Sequence, residues 1–475
     1  MFRYLFLLFI LLIATAGTID LLHLFDYEDA TGLPAYVQND NQPNQNPVTD
    51  AGATLGRVLF YDKQLSLDGT VSCGSCHQQA FAFGDTARVS TGLSGGTTAR
   101  HSMRLAYARF SPESRMFWDE RAATLEQQVL QPVQDHVEMG WSGENGQPGL
   151  DSLRNRLAQL DYYQELFDFV YDDPEVTPQR MRRALAQFVR SLRSFDSKYD
   201  RAVVQNGGGN FAQPFALFTP QENLGKALFH NPPNGGPGGG PGGAGCLGCH
   251  VPPEFGMVVN SQNNGVLGVA NDPGALDLTN TRSPSLRDVA RLDGSENGPY
   301  MHDGSLVTLL DVVQHYDSIH FDISENPQLD PRLRGGPGGN GQRLNLSQEQ
   351  QAALVAFLKT LSSEALYTDE KFSDPFDPNG NLDVVGLVGT QAARPADVGA
   401  TLSPNPTNGW VSLSVDAPGM YQVRLLDVRG RAELLTTEWL HTGTTFDLNP
   451  YPTGTYWLEL TRATGTRAVV PLVKQ

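Results

Sequence analysis

Two pentapeptides of the form Cys-x-x-Cys-His contain all four cysteines of the chain. Such a pentapeptide is typical of covalent haem attachment, because its two thiols form thioethers to the porphyrin and its histidine ligates the iron. A zinc site or a redox dithiol is the alternative, but neither needs a histidine directly after the second cysteine. The sequence therefore predicts two haem c groups, and their attachment residues are Cys73, Cys76 and His77 for the first and Cys246, Cys249 and His250 for the second.

The two predicted irons, with His77 and His250 as proximal ligands, are not expected to be equivalent. A peroxidase needs one iron with an open sixth position and acid–base groups above it, whereas an electron-transfer haem needs two firm axial ligands. The other side chains near each haem, and the elements that carry them, therefore decide the function.

The N-terminus and the charge of the chain favour an exported protein. Arg3, an apolar run at residues 4–13 and small residues at 14–16 predict a cleaved signal peptide over residues 1–16. No later segment has the ~20 apolar residues that a transmembrane helix needs, so none is predicted. The net charge of −18 argues against nucleic-acid binding, because no basic stripe is present to neutralise phosphates.

Helix-start signals recur through the middle of the chain. Thr177-Pro178, Thr219-Pro220 and Ser347 each precede a segment with apolar residues at helical spacing. Residues 38–46 are polar and predict a linker, and the Gly/Pro-rich residues before Cys246 predict a flexible insertion. The predicted fold is mainly α, with two cytochrome c-like haem domains in tandem at residues 17–205 and 206–363.

The C-terminal part has a different pattern. Residues 364–399 are rich in Pro, Gly and Asp and predict a linker. Beyond it, apolar residues alternate with polar ones in three runs, which predicts a small all-β sandwich over residues 400–475. The alternating apolar residues are Val411, Leu413, Val415, Tyr421, Val423, Leu425, Tyr456, Leu458 and Leu460.

The segment after the first pentapeptide carries a family-like pattern. It contains Met-Phe-Trp-Asp-Glu-Arg-Ala at residues 116–122, and steps of ten residues lead from Trp118 to Gln128 and from Gln128 to Glu138. With residues 281–287 and 299–305, this pattern resembles the di-haem cytochrome c peroxidase and MauG family over residues 55–363. The chain departs from the family at Glu120, where Gly is usual, and at residues 135–136, where Asn-Pro is usual.

The resemblance implies different roles for the two haems. The first haem would react with hydrogen peroxide, with Glu138 as its acid–base residue and Gln128 as a hydrogen-bond donor to the bound peroxide. Trp118 would lie between the haems and relay electrons. The second haem would receive electrons from a small donor protein such as a cytochrome or a cupredoxin.

The sixth ligands are less certain from the pattern. By position in the family, Tyr316 is the distal ligand of the second haem, where ordinary peroxidases have Met and the quinone-cofactor maturase has Tyr; Met301 and His315 are rivals. His101 is a structural residue, a distal ligand of the first haem or a replacement near a calcium ion. That ion, between the haem domains, is implied by resemblance alone.

The C-terminal sandwich resembles the type A sorting domain of the type IX secretion system, through residues 403–409, 426–431 and 454–456. This resemblance implies the secretion machinery as a partner and passage from the periplasm to the cell surface or beyond. A carbohydrate-binding sandwich is the alternative. For the whole chain, the alternatives to a peroxidase are a peroxide-dependent oxidase of a protein or aromatic substrate, and a non-catalytic electron-transfer cytochrome.

Overall fold

The computed structural model describes residues 21, 24–28, 32–208, 213–233, 242–335, 339–382, 400–415, 418–426, 432–440, 443–462 and 467–475. The predicted signal peptide lies outside the described residues, as do parts of the Gly-rich insertion, of the predicted linker 364–399 and of the 426–431 motif. The chain divides into two compact units, one of residues 24–393 and one that contains the residues from 394 onward.

The larger unit is built from helices joined by long loops, with two small hairpins. Three of its helices begin where the sequence predicted, because Thr177, Thr219 and Ser347 each accept a hydrogen bond from a backbone N–H of the first turn. Its helices are α1 (Asp50–Tyr61), α2 (Cys73–Cys76), α3 (Leu125–Gln128), α4 (Gln131–Gln134), α5 (Leu150–Leu157), α6 (Asp161–Tyr171), α7 (Pro178–Ser191), α8 (Lys198–Gln205), α9 (Pro220–His230), α10 (Leu309–Asp317), α11 (Gln348–Lys359) and α12 (Ala365–Thr368). Its hairpins pair β1 (His250–Val251) with β2 (Gly256–Met257), and β3 (Gly268–Val269) with β4 (Asp272–Leu276).

The same pairing of two helices occurs twice in this unit, and in each pair one helix precedes a pentapeptide and the other follows it. Helix α1 packs on α7 and α9 packs on α11, each through a glycine at the contact. A Cβ added at Gly56 would lie 2.1 Å from the carbonyl O of Ala184, and one added at Gly225 would lie 1.9 Å from that of Ala353. Only glycine permits such an approach. The repeated pairing supports two related halves, the first centred on α1 and α7 and the second on α9 and α11.

Helix α8 packs with the second half. Tyr199, on α8, is buried with Phe255 and Phe357 in the core of the second half, and its ring centroid is 5.0 Å from that of Phe255. The predicted boundary at residues 205/206 stays a prediction, and this packing favours a boundary before α8. The polar, Gly-rich composition of the loop after α8 suggested a boundary at residues 205/206. The buried face of α8, however, packs in the core of the second half.

Residues 38–46 do not form a linker. Asp40 makes an ion pair with Arg109 of the first half at 2.6 Å, and the backbone N–H of Gln38 donates to the buried carboxylate of Glu254 in the second half. This polar segment fastens the two halves together, so its composition reflects hydrogen bonding rather than exposure.

The N-terminal end of the predicted linker 364–399 packs against the first half. Helix α12 is followed by Phe372, which is buried against Phe83. The hydroxyl of Tyr61 donates to the carbonyl O of Phe372 at 2.7 Å, and the guanidinium of Arg57 donates to Ser373. One buried aromatic among Pro, Gly and Asp is a weak signal in the sequence, yet its burial packs this segment against the first half.

The C-terminal unit is a sandwich of two antiparallel sheets. The strands are β5 (Thr401–Ser403), β6 (Trp410–Ser414), β7 (Gly419–Leu426), β8 (Ala432–Leu440), β9 (Thr444–Asp447), β10 (Gly454–Arg462) and β11 (Arg467–Lys474). One sheet has the order β11-β10-β7-β8 and the other β5-β6-β9. All nine residues of the predicted alternating runs are buried in its core, so the predicted strand pattern is confirmed. Among the described residues, no helix is long and apolar enough to cross a membrane.

Candidate active site

The first pentapeptide forms one wall of a cavity of about 590 Å³. Cys73, Cys76 and His77 border this cavity, which we call the first cavity, and so do Gln128 and Glu138. The structure therefore brings together the predicted attachment residues and the predicted acid–base residues, although between 51 and 65 positions separate them along the chain.

Local hydrogen bonds prepare His77 as an iron ligand. The pentapeptide forms helix α2, capped by a reciprocal pair of bonds between Ser72 and Ser75. The Nδ1 atom of His77 lies 3.0 Å from the carbonyl O of Phe83. A proton held on Nδ1 makes Nε2 the ring nitrogen that could bind a metal. None of the four cysteines is in a disulfide bond, so the thiols and the imidazole fit a covalently attached haem.

Glu138 sits in a tight turn at the cavity. Its backbone N–H donates to the carboxylate of Asp135 at 3.0 Å, and the carbonyl O of Val137 accepts from the backbone N–H of Leu93. Burial raises the pKa of Glu138 to about 7, the charge of Asp135 adds to the rise and that of Arg121 opposes it. A carboxyl group with a pKa near neutrality is suited to accept and return a proton.

The second pentapeptide borders a smaller cavity, of about 150 Å³, which we call the second cavity. Cys246 and His250 lie on its wall, together with Tyr316 and Met301. Cys249 is not part of this lining, although its thiol, like that of Cys246, acts on the pKa of Tyr316.

The three candidate distal ligands of the second haem differ in placement. The hydroxyl O of Tyr316 accepts a hydrogen bond from Nδ2 of Asn264 at 3.0 Å, and the same Nδ2 lies 3.3 Å from the sulfur of Met301. His315 is not among the residues lining the cavity, and its Nε2 lies 2.9 Å from the carbonyl O of Asn264. Burial raises the pKa of Tyr316, so its phenol stays protonated until a cation replaces the proton.

Trp118 lies in the partition between the cavities and borders both. Its indole N–H donates to the carbonyl O of His101 at 2.8 Å, and its ring meets the ring of His302 edge to face at 6.3 Å. The backbone N–H of Thr281 donates to the carbonyl O of Trp118. The indole is thus fixed from both halves, as the predicted inter-haem position requires.

His101 also borders both cavities, and its side chain is held by the protein. Its Nδ1 lies 3.0 Å from the carbonyl O of Ala87, and burial lowers its pKa to about 4. Sequence reasoning missed two cations in the same partition, Arg104 and Arg282. No sequence signal distinguishes them from surface arginines, because their burial depends on contacts between the halves.

Comparison with known proteins agrees with this geometry. Residues 50–207 match the family described as di-haem cytochrome c peroxidase. The chain is 29% identical over 334 residues to methylamine utilization protein MauG of Methylophilus methylotrophus, covering 68% of this chain and 86% of the relative. It is 27% identical over 344 residues to cytochrome c551 peroxidase of Nitrosomonas europaea, covering 70% and 84%.

A solved structure, that of a MauG-like protein associated with microbial copper homeostasis, is 29% identical and superposes with a TM-score of 0.56, covering 72% of this chain and 98% of that one. The prediction of a di-haem peroxidase-type oxidoreductase is confirmed. The more particular prediction, of the di-haem cytochrome c peroxidase and MauG family, is supported by the match over residues 50–207.

Proposed function

We propose that this protein reduces hydrogen peroxide in the first cavity with electrons that enter through the second. The observation that carries the proposal is the placement of Glu138 and Gln128 on the same cavity as the first pentapeptide. A haem attached at each pentapeptide would supply the redox-active iron that takes electrons from a donor and passes them to peroxide.

The side chains of the first cavity supply the proton movements. Gln128 donates a hydrogen bond that orients the peroxide. The Glu138 carboxylate takes a proton from one peroxide oxygen and returns it to the other, so the O–O bond breaks and water leaves. In the net reaction one peroxide, two electrons and two protons give two water molecules. Trp118, which borders both cavities, would relay electrons between them.

Electrons would come from a small cytochrome or cupredoxin. Export from the cell is also part of the proposal: residues 1–16 as signal peptide, and residues 400–475 as a type IX sorting domain that delivers the protein from the periplasm to the cell surface or outside. One calcium ion between the haem domains is also part of the proposal, and it rests on the family resemblance alone.

Spectroscopy of the oxidised, haem-loaded protein tests the proposal. We expect electron paramagnetic resonance to show one high-spin and one low-spin ferric haem, and hydrogen peroxide to change the high-spin signal. A reduced small cytochrome should then be oxidised catalytically when peroxide is added. Two low-spin haems in every redox state would contradict the proposal and favour a non-catalytic cytochrome.

A second candidate function is favoured by Tyr316. An oxygen ligand favours ferric iron and lowers the potential relative to a thioether, which suits a peroxide-dependent oxidase of a protein or aromatic substrate. The two functions differ in the source of electrons. A catalytic rate with an aromatic reductant that exceeds the rate with reduced cytochromes would favour the oxidase.

The ligand assignment can be tested by replacing Tyr316 with Met. We expect Tyr316→Met to raise the midpoint potential of the second haem, because a thioether stabilises ferrous iron better than a phenolate does. Spectroelectrochemical titration of each haem measures the change. Met301→Leu is the matched control and should leave both midpoint potentials unchanged. If the potential of the second haem shifts in Met301→Leu and does not shift in Tyr316→Met, the ligand is Met301.

A further inference from the structure

Arg104 is a half-buried cation in the partition between the two cavities. It borders both cavities, and its Nε atom is buried although the residue as a whole is partly exposed. A guanidinium has five N–H donors, yet within the described part of the chain Arg104 makes one hydrogen bond, from Nη1 to the carbonyl O of Asn297 at 3.2 Å. Its Nε atom has no hydrogen-bond partner, and no ion pair among the described residues includes it.

The neighbours of Arg104 do not supply a full negative charge. The groups that act electrostatically on its guanidinium are Tyr300, Tyr367 and Asp288. Asp288 uses Oδ1 to accept from the backbone N–H of Ser363 at 2.8 Å. Burial raises the pKa of Asp288 to about 7, so this carboxyl is partly protonated near neutral pH. Removing a charge from water without a partner is costly, and a guanidinium with unused donors on the walls of two cavities indicates that an anion completes the site.

The other arginine of the partition, Arg282, also has an Nε without a hydrogen-bond partner, but its Nη1 is already engaged. The Nη1 atom of Arg282 donates to the carbonyl O of Glu113 at 2.7 Å and to that of Arg115, and the carboxylates of Glu113 and Glu120 act on its charge. Arg282 therefore fastens a loop of the first half, while the donors of Arg104 stay available.

We propose that Arg104 binds a haem propionate and sets the reduction potential of that haem. A propionate is a carboxylate that the cofactor itself brings into the cavity, and a guanidinium binds carboxylates through short, charge-assisted hydrogen bonds. The fixed position of Arg104 on both cavities lets a propionate of either haem reach it. The proposal rests on haem attachment at the two pentapeptides and is independent of peroxide chemistry.

The midpoint potentials of both haems, measured without peroxide in the loaded protein, test this proposal. Loss of a nearby cation favours the more positive ferric state, so Arg104→Gln should lower the potential of at least one haem. We expect about a tenfold shift of its reduction equilibrium, which is about 59 mV for one electron. The haem whose potential moves is the one whose propionate Arg104 binds.

Two variants serve as controls. Arg104→Lys keeps the charge and should move the potential less than Arg104→Gln does. Arg291→Gln removes a guanidinium that also has an unpartnered Nε but lies over the ring of Phe81 and borders neither cavity, so both potentials should stay unchanged. Unchanged potentials in a fully loaded Arg104→Gln protein would overturn the proposal.

A second measurement covers the case in which Arg104→Gln does not fold. A propionate paired with the guanidinium stays ionised in the native protein, whereas the smaller ammonium of Arg104→Lys holds it less firmly. We therefore expect a redox-linked ionisation near neutral pH in Arg104→Lys that the native protein lacks, seen as pH-dependent midpoint potentials. Identical pH profiles for the two proteins would overturn the proposal and leave the peroxidase proposal untouched.

Discussion

Replacement of Glu138 by Gln is expected to reduce peroxide turnover by about 10²–10⁴-fold, the usual contribution of a positioned acid–base group. Gln has nearly the same shape as Glu, but its amide cannot take a proton from peroxide and return it. Both haems should remain attached, because Glu138 is not part of either pentapeptide. Steady-state oxidation of a reduced small cytochrome gives kcat and kcat/KM for peroxide, and a pyridine haemochrome assay gives the haem content.

A matched control and a pH profile sharpen this test. Glu144→Gln makes the same change at an exposed residue that borders neither cavity and should leave turnover unchanged. Glu138 must be ionised to accept a proton, and its pKa is raised to about 7, so turnover should fall as the pH drops through about 7. Since Arg121 lowers this pKa, Arg121→Gln should move the midpoint to higher pH. Full activity in Glu138→Gln would show that a group other than Glu138 transfers the proton.

Local signals in the sequence predicted the parts of the fold that short segments determine. The caps at Thr177, Thr219 and Ser347 were found because a side-chain oxygen three residues before a backbone N–H acts within one helical turn. The alternating strands were found for the same reason, since neighbouring side chains of a strand point to opposite faces. The grouping of Gln128 and Glu138 came from family spacing, and their shared cavity agrees with it.

Features that depend on contacts between distant segments were not predictable in this way. Tyr199 is an ordinary apolar position on a helix, and only the assembled core shows that α8 belongs to the second half. Phe372 is one aromatic in a polar stretch, and Arg104 is one arginine among many. Their roles follow from tertiary burial, for which a single sequence has no local pattern.

One ion pair within the helical unit is almost fully removed from solvent. The Nη1 and Nη2 atoms of Arg287 lie 2.9 and 2.8 Å from the two carboxylate oxygens of Asp200, and neither side chain is more than 1% exposed. The hydroxyl of Tyr36 also donates to Asp200, at 2.9 Å. Burial opposes ionisation of Asp200, but the charge and hydrogen bonds of Arg287 outweigh it and hold the pKa of Asp200 below its ordinary value.

Replacement of Arg287 by Met is expected to lower the free energy of unfolding by about 3–5 kcal/mol, because it leaves the carboxylate of Asp200 buried without its partner. Guanidinium chloride unfolding of the haem-loaded protein, followed by circular dichroism, measures the loss. Arg180→Met is the matched control: its pair with Asp173 is partly exposed, with side-chain exposures of 21% and 46%, and such pairs contribute about 0–1 kcal/mol.

The pH dependence of this loss identifies its cause. Because the pKa of Asp200 is lowered in the folded protein, the stabilisation by Arg287 is present above the ordinary carboxyl pKa of about 3.9 and disappears as the pH falls through the folded value. The difference in the free energy of unfolding between the native protein and Arg287→Met should therefore become smaller in acid. At neutral pH, Asp200→Asn combined with Arg287→Met should recover part of the lost stability. An equal difference at all pH values would show that Arg287 acts through packing against its aromatic neighbours, with no net contribution from its charge.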